Sequence, residues 1–209
     1  MAEFDLKQKC LGPIQTNCYL MINTATKEAL IVDPGAEPAK VRSMVEANQV
    51  TPVAVLLTHG HFDHIGAVNE TRRMYNIPVY AHETEQELLE ETKTGQLAMY
   101  GITEPVAADI WMQGEPELDL AGFHIKVYHT PGHTKGGVCY YFAAEKVLFS
   151  GDTLFRESVG RTDFPGGSAS SLIRSVESKL FVLPDDVNVY PGHEESTTIG
   201  FEKMYNPFF

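Results

Sequence analysis

The sequence predicts a mixed fold of strands and helices built around one core. Three observations point there: short β-branched runs recur along the chain, amphipathic stretches of helical period lie between them, and Pro-Gly turns punctuate their ends. The strand candidates come in the order CYLMI from Cys18, ALIVD from Ala29, VAVLLT from Val53 and VYA from Val79, then FHIKVYH from Phe123, VCYYF from Val138, VLFSGD from Val147 and VNVY from Val187. Between them, Glu37 to Asn48 places Val41, Met44 and Val45 on one helical face, and Ser168 to Leu180 does the same with Leu172, Val176 and Leu180. Glu83 to Tyr100 is a third helical candidate, acidic where the helix dipole favours carboxylates, with Gly95 placed to interrupt it. The turns DPG at Asp33, TPGH at Thr130, FPGG at Phe164 and YPGH at Tyr190 close such segments, and two of them deliver a histidine.

The bulk properties narrow the class without choosing a function. A chain of 209 residues supports one substantial core, and no Pro-, Gly- or Ser-rich linker divides it, so a single domain over 1–209 is expected. Hydrophobic residues make up 43% and charged residues 21%, which argues against disorder. A formal charge of -12 with scattered Lys and Arg argues against a nucleic-acid partner. Cys10, Cys18 and Cys139 cannot all pair and show no CxxC spacing, so buried small hydrophobes are expected rather than a disulfide framework or a thiolate site. The start MAEFDLKQKC lacks the apolar stretch of a signal peptide, and no apolar run approaches the roughly 20 residues that cross a bilayer. A cytoplasmic location without membrane attachment is expected; the oligomeric state is not encoded in any pattern here.

The densest chemical signal is THGHFDH, Thr58 to His64, which puts three imidazoles and a carboxylate directly after a buried strand candidate. As a solvated turn it is implausible, because His59, His61 and His64 would repel one another if protonated together. Metal ligation resolves the conflict, since neutral imidazoles and carboxylates are ligands for zinc, iron or manganese. His59 and His61, two apart in extended backbone, point the same way. One short turn cannot surround two ions. His133, Asp152 and His193 each follow an apolar run, so strand ends would converge on one rim, where α/β folds build sites.

In their order along the chain, THGHFDH, PGHT, GDTLF and PGHE resemble the metal-binding motifs of the metallo-β-lactamase superfamily. The resemblance runs from VDPG at Val32 to the final GFEKMYNPFF, and is closest to glyoxalase II-like proteins of the small bacterial type, through SVGRTDFPGGS and that ending. It implies a four-layer αβ/βα sandwich, two mixed sheets flanked by helices. It also implies two divalent ions, zinc first and iron or manganese as alternatives. His59, His61 and His133 would hold one ion, Asp63, His64 and His193 the other, with Asp152 as a bridge; Asp63 and Asp152 are the implied catalytic carboxylates. Larger glyoxalase II enzymes carry a C-terminal helical domain with glutathione contacts, which this chain is expected to lack.

The implied activity is hydrolysis of a small-molecule thioester, a hydroxyacyl thioester of the S-lactoylglutathione kind. Two cations sharing a water lower its pKa toward neutrality, and a thiolate leaving group needs little protonation. Persulfide dioxygenation at a single iron and lactone hydrolysis are the rival enzymatic readings, and a non-enzymatic metal-binding module is a third class. Arg161 in GRTDF resembles a position that contacts an anionic substrate, with an ion pair to Asp163 as the alternative. Asp33 is either an orienting partner for a ligand histidine or a turn former before Pro34. His82, His124 and His129 match no ligand motif, and Tyr128 and Tyr190 read as packing residues.

Overall fold

The strand Thr16–Asn23 is buried at every position, which requires that its sheet be covered on both faces. Its side chains alternate accordingly: Cys18, Leu20 and Ile22 enter one apolar cluster, and Tyr19 and Met21 another. The structure is a computed structural model that describes residues 3–209. Its first sheet comprises β1 (Phe4–Leu11), β2 (Thr16–Asn23), β3 (Glu28–Val32), β4 (Thr51–Leu56), β5 (Val79–His82) and β6 (Ile110–Met112), in that spatial order. The first three run antiparallel and β3 to β6 parallel.

The second half contains β7 (Glu117–Leu120), β8 (Phe123–His129), β9 (Val138–Phe142), β10 (Val147–Gly151), the small hairpin β11 (Leu154–Phe155) and β12 (Ser158–Val159), then β13 (Asn188–Pro191) and β14 (Thr197–Thr198). The second six-stranded sheet is ordered β14-β13-β10-β9-β8-β7 and is mixed through its parallel β10–β13 pair. Between the sheets, Tyr19, Met21, Leu30 and Leu56 meet Phe123, Tyr140, Phe142 and Phe149. The rings of Phe142 and Phe149 sit edge to face at 5.6 Å, and burying each contributes about 2–3 kcal/mol.

Helices cover the two outer faces. Behind the first sheet lie α1 (Pro38–Asn48), α2 (Phe62–Ile65), α3 (Val68–Tyr75) and α4 (Gln86–Glu90); Val41, Met44 and Val45 of α1 and Val68 of α3 pack on Leu20, Ile31 and Val55. Behind the second lie α5 (Ala169–Ser175), which continues through the π-helical turn Val176–Leu180, and α6 (Ile199–Tyr205); Val176, Leu180 and Ile199 pack on Cys139, Leu148 and Val189. The layering is the expected αβ/βα sandwich. Among the described residues no helix is long and apolar enough to cross a membrane.

Several expectations need correction. The candidate helix Glu83 to Tyr100 is a chain of short pieces: 3-10 turns at Glu83–Glu85, Glu91–Thr94 and Gln96–Tyr100 flank α4, and Gly95 at φ 74° breaks the last two apart. Only a few of its residues find a core to cover, so nothing enforces one axis. Cys10 is exposed rather than buried, its thiol 3.2 Å from Asn17 Oδ1, while Cys18 and Cys139 are buried as free thiols. Two helices gave no periodic signal: α3 buries only Val68 and Thr71, and α6 buries Ile199 and the carboxylate of Glu202.

Candidate metal centre

The cluster forms where strands of both sheets end at one rim. Past β4, Thr58 leads the extended backbone to His61, which caps the single turn of α2 with φ -65° and ψ 148°. That change from extended to helical backbone separates the side chains: His59 and His61 share one side, and Asp63 and His64 are rotated to the other. From the second sheet, the turn after β8 delivers His133, the end of β10 delivers Asp152, and the turn after β13 delivers His193. Gly192 precedes His193 because a Cβ there would lie 2.2 Å from Asp152 Oδ1.

All seven predicted positions meet. The donor atoms of His59, His61 and His133 lie within 4.8 Å of one another, as do those of Asp63, His64 and His193, and those of His59, His64 and Asp152. His61 Nδ1 is 2.8 Å from His133 Nε2. Asp152 spans the two triads, with Oδ1 at 3.4 Å from His64 Nε2 and Oδ2 at 3.4 Å from His133 Nε2 and 3.6 Å from His193 Nε2. His193 Nε2 is also 3.2 Å from Asp63 Oδ2.

Hydrogen bonds behind the cluster fix which nitrogen faces inward. The Thr58 hydroxyl donates to Asp33 Oδ2 at 2.6 Å, so its oxygen accepts from His59 Nδ1 at 3.1 Å and the lone pair of His59 is left on Nε2. His64 Nδ1 donates to Asp33 Oδ2 at 2.9 Å, and His133 Nδ1 donates to the Arg161 carbonyl at 2.7 Å. Asp33 thus takes the orienting role weighed for it. The Thr16 hydroxyl donates to Asp63 Oδ2 at 2.9 Å. Neither Thr16 nor the Arg161 carbonyl was foreseen, since a hydroxyl between two loops and a backbone oxygen carry no motif.

Electrostatics divide the cluster. Burial, reinforced by His133 and His64, lowers His61 to about 4, and burial with the neighbouring imidazoles puts His59 well below its usual value. Burial alone would raise Asp152, but His64, His133 and His193 outweigh it and keep the carboxylate ionised. For Asp63 burial is likewise outweighed, by His193, His64 and Thr16. For His64, burial opposes the charge, yet Asp152 and Asp33 drive its value well up.

Three buried polar atoms here have no hydrogen-bond partner: His59 Nε2, His64 Nε2 and Asp152 Oδ1. Buried polar atoms are nearly always paired, so three orphans aimed at one point mark a place for cations. The donor set of imidazole and carboxylate fits two divalent ions.

The cluster floors a cavity of about 720 Å³ whose walls include Ile14, Phe62, Tyr100, Phe155 and Phe164. Arg161 also lines it, and its guanidinium does two things at once: it bonds Asp163 through two nitrogens at 2.8 and 2.7 Å and lies 3.9 Å over the Phe164 ring. His82 and His129 stack on each other at 4.1 Å away from the triads, and His124 is exposed beside Asp119 and Glu117. Tyr190 packs on Tyr19 and Phe149, and Tyr128 stacks on Tyr141.

Comparison with known proteins matches this geometry to a family. The sequence profile of the metallo-beta-lactamase superfamily matches residues 11–193. The probable metallo-hydrolase YqgX of Bacillus subtilis is 40% identical, covering 95% of this chain and 94% of the relative. Hydroxyacylglutathione hydrolase GloC of Haemophilus influenzae is 37% identical, covering 93% and 92%. Among solved structures, BLEG-1 B3 metallo-beta-lactamase superposes with a TM-score of 0.91 at 45% identity, covering 98% of this chain and 99% of that one. TTHA1623 in a di-iron-bound form gives 0.85 at 36% identity, covering 97% and 100%.

Proposed function

The chain belongs to the metallo-beta-lactamase superfamily as a metallo-hydrolase, and from that premise we propose that it hydrolyses hydroxyacyl thioesters of the S-lactoylglutathione kind. The observation that carries the reading is the convergence of seven ligand-type side chains, three of them with orphaned buried atoms, on the floor of a largely apolar cavity. The likeness to hydroxyacylglutathione hydrolase GloC over nearly the whole chain supports the substrate class.

His59, His61 and His133 would hold one divalent cation, and Asp63, His64 and His193 the other, with Asp152 between them. When bound, such a pair supplies Lewis acidity that activates water at neutral pH and polarises a carbonyl. The protein's own part is positioning. Asp33 and the Arg161 carbonyl keep the Nε2 atoms of His64 and His133 facing inward, and the Thr58 hydroxyl does so for His59. The aromatic walls of the cavity are placed to pack against the substrate beside the reacting carbonyl. Arg161 stands at the edge with a guanidinium able to meet a carboxylate of the thiol portion.

The cavity also bears on the leaving group. The histidines that line it, His61, His133 and His193, all belong to the ligand set, so among the described residues no spare imidazole is at hand as a proton donor. A leaving group that departs without protonation is therefore favoured, and thiols with pKa near 8.5 meet that condition better than alcohols or amines. A β-lactam is the second reading, because the 45% identical structure is named a B3 metallo-beta-lactamase. The identity of the metal stays part of the proposal: zinc first, with iron or manganese compatible with the donors.

The test is to quantify bound metal in the purified protein and assay a thioester panel beside a cephalosporin, a lactone and oxygen uptake with a persulfide. Thioester cleavage that scales with metal content is expected. Oxygen consumption with one iron per chain and no thioester turnover would overturn the reading.

A further inference from the structure

Glu85 is a buried carboxylate outside both triads, at the end of the 3-10 turn that follows β5. Its Oε2 accepts the Gly60 N–H at 2.7 Å, and its Oε1 accepts the Gly136 N–H at 2.7 Å. Gly60 lies between His59 and His61, and Gly136 lies three residues after His133. One carboxylate therefore ties the turn that carries two imidazoles of the first triad to the loop that carries the third, across the boundary between the sheets.

The contact points are built for this. A Cβ at Gly136 would lie 2.6 Å from the Glu85 backbone nitrogen and 2.8 Å from its Cγ, so any side chain there would push the loop away. At Gly60 a Cβ would meet Glu85 Oε2 at 3.1 Å and Leu89 at 3.2 Å. Burial penalises the charged carboxylate and raises its pKa, and the Thr134 hydroxyl together with the two backbone donors opposes that penalty. The cost of burying Glu85 is sustained by bonds that fix the two loops carrying the first triad.

We propose that Glu85 is a positioning residue that sets the affinity of the centre for divalent cations, by locking the Gly60 turn against the Gly136 loop so that the nitrogens of His59, His61 and His133 converge. The inference rests on the reading of the cluster as a metal centre; it does not depend on which substrate is cleaved. Each N–H bond holds a backbone segment that carries the triad, so releasing either one lets the triad spread without removing any of its imidazoles. Outer partners of metal ligands typically change affinity roughly 10–100-fold when removed.

Cobalt(II) titration of the metal-stripped full chain, followed by its visible absorption, provides the test. Glu85→Gln keeps the shape but turns an amide N–H toward one backbone N–H, and is expected to weaken cobalt binding about 10–100-fold and to alter the spectrum of the bound ion. Gly60→Ala crowds the same bond from the opposite partner and should give a loss in the same direction, with the double variant losing less than the product of the two. Glu202→Gln is the control: Glu202 is equally buried but bonds Thr197, Asn206 and the Glu157 N–H, and should lower the melting temperature with cobalt affinity within about twofold. Wild-type affinity and spectrum in folded Glu85→Gln would overturn the proposal. So would an equal loss of affinity in the Glu202 control, or, should Glu85→Gln not fold, wild-type behaviour of Gly60→Ala. Wild-type protein that takes up no cobalt would instead defeat the metal-centre reading beneath it.

Discussion

The two triads sit side by side but are secured differently. The first is all imidazole, its His59 and His133 only 2% and 5% exposed, and its two loops are joined by the buried charge of Glu85. The second contains Asp63 and depends on His193, whose side chain is 20% exposed. Its loop is held by neutral groups of β2: Asn17 Nδ2 donates to the carbonyls of Pro191 at 3.0 Å and Glu194 at 2.9 Å, and the Tyr19 hydroxyl donates to Pro191 at 2.6 Å. A charged bond from one side chain to two backbone donors is stiff and costly to bury, whereas amide and phenol donors are individually weaker and share the task. The lesson is that one half of a metal centre can be rigidly held while the other is tuned by small changes.

The strongest challenge to that division is Asp152, which reaches both triads. Asp152→Ala should remove it outright, with hydrolysis falling by more than about 100-fold, beyond the range for outer partners, and metal content dropping in step. Elemental analysis with a thioester assay checks this; full metal content with retained turnover would show that the two halves do not share the bridge. Asn17→Ala should separate the halves instead. Losing one buried and one part-buried bond, the His193 loop should relax, weakening one metal equivalent about tenfold and leaving the other within about twofold, at a stability cost of about 1–3 kcal/mol. Equal loss of both equivalents in a two-site titration would erase the distinction.

Smaller effects sharpen it. Tyr19→Phe removes one donor from Pro191 while Asn17 keeps that carbonyl partnered, so about 1 kcal/mol and a 2–4 °C lower melting temperature are expected, with metal content unchanged. Arg161→Ala should change least at the metal level, because it is the backbone carbonyl that holds His133. Its effect is expected in KM, raised severalfold with kcat nearly constant, measured by steady-state kinetics on an anionic thioester. Unchanged kinetics would leave the Arg161 side chain as the ion-pair partner of Asp163 alone.

What could be read in the chain and what could not follows the same physics. The cluster is legible because THGHFDH, PGHT, GDTLF and PGHE concentrate costly residue types at strand ends, where a bland explanation is hard to sustain. The central strands were legible because both faces are covered, giving continuous apolar runs such as VCYYF. The supporting residues were not. Asn17, Thr16 and Glu85 are polar residues in ordinary surroundings until distant segments of the chain are folded together, and the site partners they meet lie 25 to 177 residues away. Composition and charge suit a continuous helix from Glu83 to Tyr100, whereas the fold needs only the turn that aims Glu85 inward. The Arg161 side chain pairs with Asp163 at the cavity, and its carbonyl takes a role no motif encodes, holding His133.

The seven residues of the cluster are divided between the sheets: His59, His61, Asp63 and His64 follow the first, and His133, Asp152 and His193 follow the second. Cations held there would act as a latch across the sandwich seam, lending the native state a stability that grows with the logarithm of free metal over its dissociation constant. Starvation for metal would then shorten the life of the fold as well as silence its chemistry, writing the supply of ions into how much of this protein persists.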